Sequence, residues 1–204
     1  MRNTLHWPQR LAWLAWWLAP TAWAATVQVT VQDDAGKPLP DAIVFLESRE
    51  ARALARPVDG AEIVQKAKQF VPTVLVVTAG TAVTFPNQDT VRHHVYSFSP
   101  SKTFELKLYI GAPANPVVFD RPGIAVLGCN IHDQMAAWVV VVETPYYARS
   151  SAAGTVALPR VPAGNYRLRV WHAGLPVGAP ATDQALVVGA ADVRSVLKLT
   201  GVVP

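Results

Sequence analysis

The sequence predicts an all-β protein, on two observations. Apolar and polar residues alternate at period 2 in a succession of short runs, as in "TVQVTVQ" (26–32), where Val27, Val29 and Val31 share one face. Glycine and proline, 12 and 17 of the 204 residues, punctuate those runs in the manner of sandwiches and barrels. No internal repeat or low-complexity tract stands out.

The first residues read as an address. "MRNTLHWPQR" is basic and free of acids, "LAWLAWWLAP" is apolar, and "AWA" ends in small residues at Ala24. This is the pattern of a secretory leader, residues 1–24, cleaved before Ala25 and directing export to the periplasm. The other reading is a membrane anchor. The apolar run is short for a bilayer span, so no stable membrane insertion is expected after cleavage. Loss of the leader would take five of the seven tryptophans, leaving Trp138 and Trp171. It would also leave 16 Lys and Arg against 14 Asp and Glu, a net charge of +2. With no basic run, that balance argues against a nucleic-acid partner. The remaining 180 residues suffice for one large or two small domains. Cys129, the only cysteine, cannot form an internal disulfide, so in an oxidising compartment it should be buried or bound.

Along the chain, "TVQVTVQ" is the first strand, "DDAGKPLP" turns, and "DAIVFLE" (41–47) is the second. Residues 48–61 read as a linker, with a short helix as an option. Further strands are expected at 73–78, 81–85, 93–98, 104–110, 117–120, 123–129 and 136–143. After "TPYYARSSAAG" come strands at 155–159, 166–172, 184–188 and 193–200. Arg167 and Arg169 read as the solvent face of one of them. Trp138 and Tyr96 read as packing residues, and His172 as a strand-end histidine.

Chemistry concentrates in Cys129-x-x-His132-x-x-Met135, where Met135 is the only methionine besides the initiator. The three lie on a tight loop between two expected strands, a frame that presents them to one point. A thiolate is a soft ligand, imidazole a borderline one and thioether a weak axial one. The set suits copper better than magnesium, calcium or manganese. A type-1 copper site needs one more histidine, and "RHHVYSF" offers His93 and His94. Neighbours on a strand face opposite ways, so at most one reaches the ion, and periodicity alone does not say which. Asp133 could bond His132 or the loop backbone, or stay solvated.

The span 62–143 resembles the cupredoxins of plastocyanin and amicyanin type. The resemblance rests on Val77, Gly80, Val83, Phe85 and Asn87, on His93-His94-Val95, and on Pro122-Gly123 before Cys129, His132 and Met135. It implies a Greek-key sandwich holding one type-1 copper through His93, Cys129, His132 and Met135, with His94 where the family often has Asn. The strand before the cysteine departs from the family, carrying Leu127 and Ala125 where aromatics are usual. The flanks are similar to carboxypeptidase regulatory-like modules, which have a transthyretin-like sandwich. "VTVQDDAGKPLPDAIVFLE" matches their first half, and Gly154, Leu158, Pro162, Gly164, Tyr166, Leu168 and Val170 match their second. These resemblances imply one sandwich, 25–52 plus 146–204, interrupted by a cupredoxin at 60–145. The alternative is that the flanks add strands to one enlarged sandwich.

By the same resemblance the chain is a periplasmic one-electron carrier between redox partner proteins. His132 would be the contact edge, with small residues Gly128, Ala136 and Ala137 around it. Some similar proteins are labelled methylamine utilisation proteins. A delivery role, with copper as cargo, needs the same ligands, but the mature chain has no second methionine to build a transfer route. No enzymatic activity is expected. Four histidines beyond the leader are too few for further copper ions, and no nucleophile elbow, phosphate loop or paired-carboxylate motif stands out.

Overall fold

A computed structural model describes residues 24–113 and 115–203, so the expected leader, apart from Ala24, lies outside the described residues. Among the described residues no helix is long and apolar enough to cross a membrane. The first flank contributes β1 (Ala24–Gln32), β2 (Ile43–Glu47) and a short helix, α1 (Arg49–Leu54). Ser48 caps that helix by accepting the Ala51 N–H at 3.0 Å. The middle begins with β3 (Ala61–Glu62), β4 (Val64–Lys66), β5 (Gln69–Val71), β6 (Val74–Thr78) and β7 (Thr81–Thr84). It continues through β8 (His93–Ser99), β9 (Lys102–Tyr109), β10 (Val117–Phe119), β11 (Gly123–Gly128) and β12 (Ala136–Val142). The second flank forms β13 (Tyr147–Arg149), β14 (Thr155–Pro162), β15 (Gly164–Trp171), β16 (Thr182–Val188) and β17 (Val193–Lys198).

The two flanks pair with each other. One sheet runs β14-β1-β17 and a second runs β13-β2-β15-β16. Val27, Val29 and Val31 of β1 face Val44, Leu46, Leu168 and Val170 across a shared apolar core. The middle segment forms a five-stranded sheet, β6-β12-β11-β8-β9, and a smaller one, β10-β7-β3, with β4 and β5 as a separate hairpin. Its core gathers Val83, Phe85 and Phe119 against Val95, Leu127 and Val139. Among the described residues the sheets of the flanks and of the middle share no strand ladder. The chain leaves and re-enters the flank sheets at adjacent points, where the Leu46 N–H donates to the Tyr146 carbonyl at 3.0 Å.

A third apolar layer joins the two pairs of sheets. Ile43, Phe45 and Trp171 from the flanks meet Val74, Val140 and Val142 from the middle. Strands β2 and β12 are therefore buried on both faces, which is why "IVFL" and "WVVVV" are continuous apolar runs and not alternating ones. In β12, Ala137, Val139 and Val141 face the inner core, while Val140 and Val142 face the flank sheet. The same layer corrects the expectation for Arg169. Its guanidinium lies 5.4 Å from the centroid of Phe45, and Nη1 stands 3.3 Å from both Glu47 carboxylate oxygens. At Arg169 that face of β15 borders Ile124 and Val140 of the five-stranded sheet, which leaves the side chain only 24% exposed. Arg167, further along, is exposed and pairs with Asp183.

Trp138 and Trp171 sit across this junction with ring centroids 6.2 Å apart. Replacing Trp171 by Ala is expected to cost about 3–5 kcal/mol of unfolding free energy and to shift Trp138 emission to the red. Urea titration followed by fluorescence measures both. His172, at the end of β15, is half-buried, and its Nδ1 accepts the Gly174 N–H at 2.9 Å. Burial holds its pKa below the ordinary 6.5, with Asp41 and the Pro40 carbonyl opposing and Arg149 assisting. The unfolded chain then takes up the proton more readily than the folded one. The stability His172 contributes is present above pH 6.5 and is lost as pH falls below it. A His172→Gln variant should lose less stability than the parent between neutral and mildly acidic pH in the same titration.

Candidate metal centre

The β11–β12 ladder ends at Gly128 opposite Ala136, so residues 129–135 form the loop between them. The Met135 N–H donates to the His132 carbonyl at 2.9 Å, curling the loop so that its two ends meet. On β8, alternation carries His93, Val95 and Ser97 inward, all 0% exposed, and turns His94 and Tyr96 to the other face. A register shift between His93 and Val95 marks the point where the strand reaches the loop.

The fold brings three of the expected ligands together. The ring nitrogens of His93 and His132 and the Cys129 sulfur all lie within 4.8 Å of one another. His93 Nδ1 is 3.2 Å from His132 Nδ1, and Cys129 Sγ is 3.9 Å from His132 Nδ1. Donors that share one ion at about 2.0–2.3 Å stand up to about 4.6 Å apart, so the set is within a small inward movement of sharing a metal. Its soft sulfur and two imidazoles suit copper or zinc and are poorly matched to magnesium or calcium. Cys129 is 3% exposed and Met135 1%, both within the inner core, whereas His132 is partly open to solvent. His94 stands outside the cluster, its Nε2 3.0 Å from Glu105 Oε1 without the alignment of a hydrogen bond. His172 is also outside it, and Asp133 is exposed on the loop.

Two residues expected at the contact edge are not there. Ala137 is fully buried in the inner core, because the inward face of β12 claims it. Gly128 is roofed by Tyr96, whose ring would lie 2.7 Å from a Cβ added at that position. Only Ala136 of the three small residues is exposed. Tyr96 is half-buried and lines a cleft of about 700 Å³ behind the loop, with Phe98, Val126 and Val177. Leu127 and Ala125, where the resemblance led one to expect aromatics, are buried. Phe85, Phe104 and Phe119 supply aromatic packing from other strands of the same unit.

The support of His93 was not anticipated. His93 Nε2–H donates to Asp89 Oδ2 at 2.8 Å, which fixes the tautomer and leaves Nδ1 facing the cluster. Burial is the largest single influence on Asp89 and pushes its pKa up. Hydrogen bonds from Lys68, His93 and Ala67 together outweigh it and hold the carboxyl below its usual range. Spacing gave no signal for it, because the partners that hold Asp89 in place lie more than 20 residues away in the chain. Nearby, Tyr109 and the fully buried Gln65 bond to each other and to the Phe85 carbonyl. Burial, opposed by Gln65 and assisted by the Cys129 sulfur, pushes the Tyr109 phenol up to about 12.

No family model matches the chain, and no curated protein matches it. Solved structures do. A purple cupredoxin from Nitrosopumilus maritimus matches at 24% identity and TM-score 0.36, covering 40% of this chain and 99% of that one. The reduced Cu(I) form of a mutant amicyanin matches at 22% identity and TM-score 0.38, covering 48% of this chain and 98% of that one. A copper-containing nitrite reductase from Thermus scotoductus SA-01 matches at 20% identity and TM-score 0.38, covering 56% of this chain and 28% of that enzyme. All three TM-scores are below 0.5, and the site stands on its own geometry.

The third match corrects the expectation that the chain has no enzymatic activity, since that match is an enzyme. The physical reason is that a His–Cys–His cluster on a β-frame can be a carrier's sole centre or one centre of a catalyst. Ligand type does not separate the two.

Titration of the metal-free protein with Cu(I) under a competing chelator should show one tight equivalent. Cys129→Ser should weaken it by more than the roughly 10–100-fold typical of losing an outer partner, with the far-UV spectrum unchanged.

Proposed function

We propose that this chain is an exported, periplasmic copper protein that passes single electrons between redox partner proteins. The observation that carries the reading is the convergence of two imidazoles and one thiol, with His93 and Cys129 buried and His132 partly open to solvent. Copper held by His93, Cys129 and His132, with Met135 as a weaker thioether donor, would supply a Cu(II)/Cu(I) couple. The chain's part is to keep these donors nearly still. His93 is locked by Asp89, Cys129 and Met135 are packed in the inner core, and the loop is closed on itself through the His132 carbonyl. Donors that cannot rearrange keep the cost of changing oxidation state small.

His132 is the natural contact edge. Ile131 beside it is 47% exposed, and exposed Val91 and Ile110 come from the segments flanking His93 and Tyr109. Such an apolar rim suits a brief encounter of small area. The flank sheets, 25–52 with 146–204, fit a transthyretin-like host into which the unit at 60–145 is inserted. Their mutual pairing and the adjacent exit and return at Leu46 and Tyr146 support that division.

Copper-loaded protein is expected to show an intense visible charge-transfer band and a compact EPR hyperfine pattern, both abolished by ascorbate. A colourless complex, or a Cys129→Ser variant that keeps the colour, would overturn the proposal. Rapid loss of the copper to a mild chelator would point instead to delivery.

A further inference from the structure

Asp89 does more than orient one imidazole. Its Oδ2 accepts from His93 Nε2–H at 2.8 Å and from the Lys68 N–H at 2.9 Å, and its Oδ1 accepts from the Ala67 N–H at 2.6 Å. Ala67 and Lys68 are the two residues that close the β4–β5 hairpin, between Lys66 and Gln69. Both have positive φ, 53° and 56°, a region that favours glycine and asparagine over the residues present. A turn of this kind presents two consecutive N–H groups on one side, which the Asp89 carboxylate occupies. The carboxylate is itself held, its backbone N–H donating to Asn87 Oδ1 at 2.9 Å, while Asn87 Nδ2 donates to the Val91 and Tyr109 carbonyls. Hairpin, carboxylate and imidazole thus form one connected unit behind the metal cluster.

We infer that Asp89 is a positioning residue whose negative charge, anchored by the β4–β5 turn, biases the bound ion toward its higher oxidation state. The inference rests on the copper reading above and deepens it. A neutral carbonyl accepting from Nε2–H would orient the ring equally well. A carboxylate also draws the Nε2 proton toward itself and makes Nδ1 a stronger donor, an effect that favours the more highly charged ion. Two backbone N–H groups keep the carboxylate in place with a side chain only 15% exposed. Without them its charge would have only the imidazole to hold it. The strained turn has a role on this view, since it is the anchor that keeps an anion next to a buried ligand.

The test is Asp89→Asn. Three N–H donors face two oxygens, and an amide offers only one oxygen, so the charge is lost while the shape is nearly kept. Cu(II) affinity should fall roughly 10–100-fold with Cu(I) affinity much less changed. The reduction potential should rise by about 59 mV for each tenfold difference between the two. Asp89→Glu, which keeps the charge, should recover most of the parent value. Equal loss of both affinities with an unchanged potential would show a purely structural anchor and overturn the inference.

A second measurement needs neither copper nor a variant. Nitrogen-15 NMR of the metal-free parent protein should find His93 protonated at Nε2, with that proton slow to exchange. A His93 protonated at Nδ1 would also overturn the inference. Failure of the copper reading would be visible separately, as a parent protein that takes up copper without a charge-transfer band.

Discussion

Burial of β2 and β12 on both faces is the constraint on which the structure depends. A strand with one wet face can slip by a residue at the cost of exchanging its buried and exposed sets. β12 is held differently: Val139 and Val141 fill one core while Val140 and Val142 fill another, so any shift disturbs packing on both faces. The register of β12 against β11 and β6 is fixed from both sides, and the ligand loop begins where that register ends, at Gly128 and Ala136. The position of Cys129 beside His93 therefore depends on how the valines of β12 pack. Fully buried Met135 and the loop's own hydrogen bond then complete a site whose rigidity is inherited from the layers beneath it.

Much of this was legible in the amino-acid pattern, and the exceptions have physical causes. The alternating valines of β1 marked a strand with one buried face. The spacing of Cys129, His132 and Met135 marked a loop between strands, where the structure has one. Only geometry could separate His93 from His94 on the residues alone, because adjacent residues differ by the face they take and not by type. The β4–β5 hairpin escaped notice because its turn is Ala-Lys, with none of the glycine or asparagine that usually announces two positive φ angles. Arg169 was read as solvated because alternation reports which face a residue shares and says nothing about what covers that face. A third sheet covers it here.

Asp89 illustrates a different limit. A carboxylate four residues before a histidine carries no signal on a strand, and its meaning comes from two backbone N–H groups more than 20 residues earlier in the chain. Polar support of a ligand is assembled from parts that have no sequence relation to one another. By contrast, the donors themselves are chemically distinctive, and a lone cysteine near a lone internal methionine draws attention wherever it occurs. Sequence reasoning thus finds what binds more readily than what steadies the binder.

The bond between Leu46 and Tyr146 bears on how the chain reaches this state. Closing a flexible loop of about 100 residues costs on the order of 4 kcal/mol in chain entropy, from the logarithmic dependence on length. A middle segment that condenses by itself, around its own apolar core, shortens the effective distance between those two residues to the width of its base. The flank strands can then zip together with little further entropic penalty. On this account the middle segment acts as a closed clasp for the flanking strands, and the later assembly of β2 with β13 and β15 inherits the gain.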